Sequence, residues 1–248
     1  MIKLEKVSKK YGSGSVALSD INLFVERGEF VFLIGPTGSG KTTIFRLIIR
    51  ELLPSEGSII IDEWDIINLP KKKIPHLRKK IGVVFQDLKL LADRTIFENV
   101  ALPLEVIGIK ADEAKARVEE VLSSVGILEH SDKFPVQLSG GELQRAAIAR
   151  ALILSPDILL ADEPTGNLDD VTSWEIVKLL SAINEKGTTV IMATHNSEII
   201  KKLSKRVVAL EKGKIARDDK SKQDLDKEEK SSSAKASEDK EEKEKKTE

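Results

Sequence analysis

The sequence has no cysteine, no apolar run long enough to cross a membrane and no excess of charge of either sign. Without cysteine, the 248-residue chain has neither a disulfide framework nor a thiolate metal site. Its formal net charge of −1 gives no argument for nucleic-acid binding. The residues after Met1 include the charged Lys3, Glu5 and Lys6 rather than a signal sequence, so we expect a soluble chain that depends on a partner for any membrane association.

The composition of the chain changes once, near Arg217. Residues 218–248 are almost entirely Lys, Glu, Asp, Ser and Ala, with Leu225 as their only large apolar residue. Such a segment cannot bury enough surface to fold alone. We therefore predict one domain over residues 1–217 and a disordered charged tail over residues 218–248, which is either a solvated extension or an electrostatic arm for a partner or a lipid surface.

The stretch LIGPTGSGKTTIF stands between a short β-rich run and apolar residues at helical spacing. Gly35 to Thr42 fits the pattern G-x-x-x-x-G-K-[ST] in the strand, turn and helix context that this pattern requires. Backbone N–H groups at the glycines and at the helix start would surround a phosphate, Lys41 would reach the outer phosphates, and the Thr42 hydroxyl would ligate magnesium. The loop predicts binding of a nucleoside triphosphate with Mg²⁺.

Two further β-rich runs, DILLADEP and TTVIMATH, are separated by a helical segment, which is the pattern of a parallel sheet. Ligands bind at the carboxyl ends of such strands. Because adjacent residues at a strand end point to opposite sides, we assign Asp162 to the magnesium shell and Glu163 to the attacking water. His195, at the end of the next strand, is expected at the same edge.

The stretch LSGGELQRAAIARALIL begins with Ser139 and Glu142 at the spacing of a capping box. Gly140 and Gly141 expose backbone N–H groups at a helix N-terminus, which predicts a second anion site. An inserted helical region, which includes ADEAKARVEEVLSSVG, precedes this site. That region argues against both anion sites serving one triphosphate within one chain.

The motifs together resemble those of ATP-binding cassette (ABC) ATPases, over residues 1 to about 217. They are Gly35 to Thr42, Gln86 in VVFQD, LSGGE, ILLADEP, NLD at residues 167–169, and His195. The resemblance implies an α/β P-loop NTPase fold with a parallel-sheet core, an antiparallel β subdomain and an α-helical subdomain inserted at about residues 90–155. It also implies a head-to-tail homodimer, in which the LSGGE segment of one chain closes on the ATP held by the other.

The resemblance assigns individual roles. Tyr11 matches the aromatic residue that stacks on adenine, and Asp169 matches the residue that crosses the dimer interface. Catalysis falls to Glu163, His195 and Gln86, and magnesium to Thr42, Gln86 and Asp162. The predicted nucleotide-binding residues are Tyr11, Gly35, Pro36, Thr37, Gly38, Ser39, Gly40, Lys41, Thr42, Thr43, Ser139, Gly140, Gly141 and Asp169.

Two residues depart from the family pattern. Glu142 stands where many members have glutamine, and because a carboxylate would repel phosphate, we expect it to close the capping box rather than touch ATP. Asn196 follows His195 where aspartate is common, which alters the local hydrogen bonding around the histidine.

Within the family, DLKLLADRTIFENVALPLEVIGI, FPVQLSGGE and TSWEIVKLL resemble most the ATPases that work with an integral membrane protein in bacterial cell division, at the cytoplasmic face of the plasma membrane. ATPases of lipoprotein release or macrolide efflux share most remaining features and are an alternative. A soluble cassette protein acting on ribosomes or DNA is disfavoured by the single cassette and its short insertion. The basic run KKKIPHLRKK lacks base-stacking aromatics, so no nucleic-acid partner is expected.

The segment after Gln86 contains closely spaced leucines. In the cassette family, a groove beside this segment receives a short helix of the membrane partner, and such contacts depend on a few apolar anchors. We expect Leu90 and Leu91 to provide these anchors, with burial for stability alone as the alternative.

Overall fold

The computed structural model describes residues 1–12 and 14–219, which form two β-sheets with helices packed against them. The strands are β1 (Ile2–Lys10), β2 (Val16–Val25), β3 (Phe30–Ile34), β4 (Glu56–Ile61), β5 (Trp64–Asp65), β6 (Ile81–Val84), β7 (Ile158–Asp162), β8 (Thr189–Ala193), β9 (Arg206–Glu211) and β10 (Lys214–Asp219). The α-helices are α1 (Lys41–Ile48), α2 (Ile74–Lys79), α3 (Ile96–Val106), α4 (Ala111–Ser124), α5 (Gly140–Leu152), α6 (Asp170–Glu185) and α7 (Ser197–Leu203). Short 3₁₀ turns occupy Lys71–Lys73, Leu128–His130 and Pro135–Gln137.

The larger sheet has the strand order β10-β9-β3-β8-β7-β6. Its strands from β9 to β6 are parallel, and β10 is antiparallel at the edge. The predicted parallel-sheet core is confirmed. Because β3, β7 and β8 are parallel neighbours, their carboxyl ends meet at one edge, and this edge brings together the loops that follow the three strands.

The smaller sheet has the order β2-β1-β4-β5 and is antiparallel throughout, as predicted for the β subdomain. On β1, Ile2 and Leu4 are buried at alternate positions, and Val7 continues the buried face after a register shift between Leu4 and Val7. This strand therefore follows the alternation of a sheet with one face on a core.

The inserted helices α3, α4 and α5 lie between β6 and β7 in the chain. On α4, the predicted apolar face is buried at Val118 and Leu122, and Val125 beyond the helix end is buried with them. The fully buried Asn99 of α3 accepts a hydrogen bond from the Leu91 N–H and donates to the Leu91 carbonyl. These bonds attach the segment before α3 to the helical region.

The parallel sheet has a hydrophobic core on each face. Along β3, Phe30 and Phe32 pack in the core formed with α3, α4, α5 and α6, while Val31 and Leu33 pack in the core shared with α1 and the antiparallel sheet. A strand buried on both faces is a continuous apolar run, which explains why FVFLI shows no polar alternation.

The domain continues two residues beyond its predicted end at Arg217. Asp218 and Asp219 pair with Val208 and Val207 of β9, and the Arg206 guanidinium binds the Asp218 carboxylate through Nε and one terminal nitrogen, at 2.7 Å each. Strand β10 therefore extends two residues past the boundary predicted at residue 217. The rest of the predicted tail, residues 220–248, lies outside the described residues. In residues 1–12 and 14–219, no helix is long and apolar enough to span a membrane.

Candidate active site

The loop between β3 and α1 has the predicted form of a phosphate-binding turn. Gly40 immediately precedes α1 and has φ 112°, a left-handed conformation that favours glycine. A Cβ at this position would lie 2.5 Å from Leu18 Cδ2 and 2.9 Å from the Ala17 carbonyl oxygen. Glycine at residue 40 therefore satisfies both a backbone and a packing requirement, and α1 begins at once with its unpaired N–H groups.

Lys41 is buried at the start of α1, and its ammonium group is held by the loop. The Nζ atom donates to the Gly35 carbonyl at 2.7 Å and to the Pro36 carbonyl at 3.3 Å, and it lies 3.8 Å from Glu163 Oε1. The positive charge is thus placed between the glycine-rich loop and the end of β7.

Asp162, the last residue of β7, faces the first turn of α1. Its Oδ2 accepts a hydrogen bond from the Thr42 hydroxyl at 2.9 Å. Burial raises the pKa of Asp162 above that of an ordinary aspartate, and the adjacent Glu163 raises it further, while the bond from Thr42 and the charge of Lys41 lower it. Two of the three predicted magnesium ligands, Thr42 and Asp162, are therefore in direct contact.

Glu163 turns away from the strand in a left-handed conformation, with φ 48°. Its Oε2 lies 2.9 Å from His195 Nδ1, and its side chain is mostly buried whereas that of His195 is exposed. This left-handed backbone conformation directs the Glu163 carboxylate toward His195 and Lys41. The carboxylate of the preceding residue, Asp162, faces Thr42 instead. The two side chains therefore have separate contacts, Asp162 with Thr42 and Glu163 with His195.

A cavity of about 440 Å³ connects these groups. Most of the predicted site residues line it: Tyr11, Thr37, Gly38, Ser39, Gly40, Lys41, Thr42, Thr43, Gln86, Asp162, Glu163 and His195. Gly35 and Pro36 contribute through the carbonyls that hold Lys41. The Tyr11 hydroxyl lies 3.4 Å from Thr43 Oγ1, which places the aromatic ring beside the loop.

Five lining residues escaped the sequence analysis: Ser15, Val16, Ala17, Gly166 and Asn167. Asn167 is part of the NLD motif, but Asp169 was the only residue of that motif predicted to belong to the site. Val16 and Ala17 come from the antiparallel sheet, and no local pattern indicates their approach to the phosphate-binding loop. The 53% exposure of Val16 is apparent only in the structure.

The LSGGE segment does not line this cavity. A Cβ at Gly141 would lie 2.6 Å from Thr172 Cγ2, so glycine permits the close approach of α5 to α6. Asp169 caps α6 and accepts from the Thr172 N–H at 2.9 Å and from the Thr172 hydroxyl at 2.6 Å. The cavity that contains Lys41 is therefore separate from the surface formed by Ser139, Gly140, Gly141 and Asp169.

Glu142 closes the first turn of α5, as expected. Its Oε2 accepts hydrogen bonds from the Ser139 N–H at 2.6 Å and from the Ser139 hydroxyl at 2.7 Å. The Ser139 hydroxyl, the Ser139 N–H and the nearby His130 lower the pKa of Glu142. At the other altered position, the Asn196 side chain caps α7 by accepting from the Glu198 and Ile199 N–H groups.

The donor set at the end of β7 suits magnesium. Thr42 and Asp162 offer a hydroxyl and a carboxylate, and Mg²⁺ is commonly held by one or two carboxylates together with phosphate oxygens and water. Within the described ranges, no group of three or more His, Asp or Glu residues forms a metal cage. The site thus fits an ion that arrives with a phosphate ligand.

A second cavity, of about 560 Å³, lies between the parallel-sheet core and the helical region. Its apolar lining includes Phe85, Leu102 and Leu154, and its basic lining includes Lys89 and Arg150. Leu90 and Leu91, which we predicted to provide its anchors, do not line it.

Leu90 is half-buried and packs against the core, whereas Leu91 is 37% exposed outside the cavity. The reversal at Leu88 and Lys89, with φ values of 56° and 54°, turns the chain so that Lys89 faces the groove instead.

The geometry agrees with comparisons to known proteins. The ABC transporter family matches residues 18–166. The cell division ATP-binding protein FtsE of Bacillus subtilis is 51% identical over 219 residues, which cover 88% of this chain and 96% of that protein. The protein of the same name from Escherichia coli is 45% identical over 215 residues, with 87% and 97% covered.

Solved structures extend the similarity to the fold. A dimeric structure of the bacterial ABC transporter cassette MJ0796 superposes with a TM-score of 0.81 at 39% identity, covering 89% of this chain and 98% of that one. Another dimeric structure of MJ0796, in a post-hydrolysis state with ADP and Pi, also has a TM-score of 0.81, at 38% identity. With its phosphate-binding loop, paired carboxylates and sheet order, the chain belongs to the ABC transporter family and is an ATPase of the ABC type.

Proposed function

We propose that this chain is the ATPase subunit of a bacterial cell-division complex of the FtsE type, which couples ATP-driven dimer closure to an integral membrane partner resembling FtsX. The observation that supports the proposal most directly is 45–51% identity, over 87–88% of the chain, to proteins named cell division ATP-binding protein FtsE. On this proposal the chain is cytoplasmic and peripheral on the inner face of the plasma membrane.

The cavity geometry supports the following proposed hydrolytic step. Lys41 and the loop N–H groups bind the phosphates of ATP, and Glu163 accepts a proton as the oxygen of a water attacks the terminal phosphorus. The bond from that phosphorus to the bridging oxygen breaks, which leaves ADP and phosphate. His195, 2.9 Å from Glu163, orients the carboxylate and contacts the terminal phosphate.

Magnesium belongs to the proposed site. Thr42, Asp162 and Gln86 would hold Mg²⁺, whose charge offsets that of the phosphates when it is bound. Thr42 and Asp162 are already joined by a hydrogen bond, and Gln86 lines the same cavity.

The proposed dimer is supported by the separation of the two helix N-termini that could bind anions. Ser139, Gly140 and Gly141 lie outside the cavity that contains Lys41, so they are available to a nucleotide held by another chain. In the proposed closed dimer, these residues contact ATP bound to the opposite chain and Asp169 crosses the interface. Hydrolysis then adds charge repulsion between the products, which reopens the dimer.

The groove of about 560 Å³ is the proposed docking site for the membrane partner. It lies beside the segment that follows Gln86, so a helix seated there is close to the chain that connects to the ATP site. Its lining, which combines apolar residues with the basic Lys89 and Arg150, suits an amphipathic helix that carries acidic residues.

Capture of the membrane partner tests the proposal. The full chain and a Leu102→Glu variant are used to isolate partners from native membranes, with Val106→Glu as the matched control, since Val106 is on the same helix, 79% exposed and outside the groove. We expect Leu102→Glu to reduce capture by roughly tenfold and to leave nucleotide affinity within about threefold.

The captured protein separates the candidate functions. Co-purification of an integral membrane protein of the division machinery supports the proposal. A lipoprotein-release or macrolide-efflux permease in its place would assign the chain to export. Stimulation of ATP hydrolysis by ribosomes, RNA or DNA, without membrane capture, would assign it to the soluble class.

A further inference from the structure

Three side chains form a chain of contacts at the start of α5. His130 Nε2 lies 2.8 Å from Glu142 Oε1, and the other oxygen of the same carboxylate accepts from the N–H and hydroxyl of Ser139. The His130 side chain is 16% exposed, and its Nδ1 has no hydrogen-bond partner among the described residues. The histidine is thus half-buried, and its Nε2 atom contacts Glu142.

The hydroxyl of Ser139 can serve one acceptor at a time. Serine has a single O–H donor, and here the donor is directed to Glu142 at 2.7 Å. In the proposed dimer, Ser139 must instead donate to a phosphate of the nucleotide on the opposite chain. Glu142 and the phosphate therefore compete for the same proton.

The charge of Glu142 has two opposite effects. A carboxylate in the first turn stabilises a helix through the N–H groups and the dipole. The same charge opposes a phosphate approaching Ser139 and Gly140, because like charges repel in a site from which water is excluded. A donor that offsets this charge on the side away from Ser139 would preserve the helix start and weaken both the repulsion and the competition.

His130 occupies that position. It approaches the Glu142 oxygen that Ser139 does not use, and among the described residues the one other acidic group within 4 Å of its Nε2 is Glu129, at 3.8 Å in the same short turn. Of these two carboxylates, that of Glu142 is 1 Å closer to Nε2, so the Nε2–H group of the imidazole donates to Glu142.

We propose that His130 is a positioning residue for the ATP-bound dimer: by donating to Glu142, it weakens the hold of that carboxylate on the Ser139 hydroxyl, so that the hydroxyl can turn to the phosphates held by the opposite chain. The inference rests on the proposed function, in which Ser139 contacts ATP across the dimer. His130 itself does not touch the nucleotide and acts through Glu142.

Sedimentation of the full chain in the Glu163→Gln background, titrated with ATP and magnesium, tests the inference. We expect His130→Leu to weaken ATP-dependent dimerisation by roughly tenfold and His130→Gln, which retains an N–H donor at a similar reach, to stay within about threefold of the parent. His76→Leu is the matched control, because His76 is exposed on α2. Binding of a fluorescent ADP to the single chain should be unchanged in all of these variants.

The decisive comparison adds Glu142→Gln to His130→Leu. With the charge removed, dimerisation should return to within about threefold of the parent, whereas a merely structural role of His130 would leave the defect in place. If His130→Leu does not fold, Glu142→Gln alone still decides, because the inference requires a dimer at least as tight as that of the parent.

Two results overturn the inference: dimerisation of His130→Leu equal to that of the parent, or no recovery on adding Glu142→Gln. Failure of the Glu163→Gln parent to dimerise with ATP is a different outcome. It would contradict the proposed function itself, and the inference would fall with it.

Discussion

Glu163 is held between two nitrogen groups, Lys41 at 3.8 Å and His195 at 2.9 Å, and this arrangement determines what a substitution does there. Glutamine has the same shape but cannot accept a proton. We expect Glu163→Gln to retain ATP binding and to reduce kcat by about 100-fold or more, because general-base catalysis is lost.

Steady-state hydrolysis and sedimentation with ATP and magnesium check this prediction. The variant should accumulate as an ATP-bound dimer. Hydrolysis at the wild-type rate would show that Glu163 is not the base.

Asp162 shows a conflict between stability and function at the scale of one residue. Burial raises its pKa, so the protonated carboxyl is favoured more in the folded state than in the unfolded state. Its contribution to stability therefore falls as the pH rises from the unfolded pKa, about 3.9, through the higher folded pKa. At neutral pH the ionised group costs stability that a neutral residue would not.

Asp162→Asn should therefore stabilise the nucleotide-free protein at pH 7, with the melting temperature rising by about 2–4 °C for each kcal/mol regained. The amide oxygen can still accept from Thr42. The advantage should disappear below about pH 4, where the aspartate is protonated in both states. Thermal unfolding at the two pH values tests this, and a lower melting temperature at pH 7 would contradict it.

At the scale of the element, α5 connects three parts of the molecule. Its first turn contains the LSGGE segment, its middle packs in the helical core, and near its end Arg150 donates to the carbonyls of Leu88 at 2.5 Å and Lys89 at 2.6 Å. Those two residues are in left-handed conformations shortly after Gln86. The helix thus reaches from the proposed dimer surface to the segment beside the groove.

Arg150→Lys should weaken this link, because an ammonium group cannot reproduce the planar fork that bonds two carbonyls. We expect a loss of about 1–3 kcal/mol in the free energy of unfolding. Urea denaturation measures it, with Arg117→Lys as the control. Arg117 forms an exposed pair with Glu113 on α4, and its replacement should change stability by less than about 0.5 kcal/mol. Equal effects of the two substitutions would contradict the prediction.

At the scale of the whole molecule, Arg206 joins β9, the β2–β3 region and the last described strand. Its guanidinium binds Asp218, the Glu29 carboxylate at 2.8 Å and the Phe24 carbonyl at 2.8 Å, and it is nearly buried. These carboxylates raise the pKa of Arg206, with Asp218 as the largest cause. The guanidinium consequently stays charged and depends on its partners.

Two truncations separate this contact from the rest of the C-terminal segment. A chain that ends after Arg217 should be less stable by about 1–3 kcal/mol than one that ends after Asp219, because it loses the carboxylate that binds Arg206. Urea denaturation compares the two, and Asp218→Asn in the full chain should lose stability in the same direction. Equal stability of the two truncated chains would show that the domain ends at Arg217.

The sequence by itself determined the features that are written in contiguous residues. The phosphate-binding loop, the carboxylates at the end of β7, the parallel strands and the Glu142 capping contact were all predicted. Each depends on spacing within a short segment, where the covalent chain already places the groups close together. His195 was found by the same reasoning, since parallel neighbours end at one edge.

Only the tertiary structure decided the contacts between distant segments. Arg206 and Glu29 are 177 residues apart in the chain, Arg150 and Leu88 are 62 apart, and His130 meets Glu142 across the turn that precedes α5. The groove of about 560 Å³ is lined by Leu102 rather than by Leu90 for the same reason. Periodicity indicates which face of an element is buried, but the packing angle and separation of two elements depend on all the side chains between them, and these set which polar groups meet.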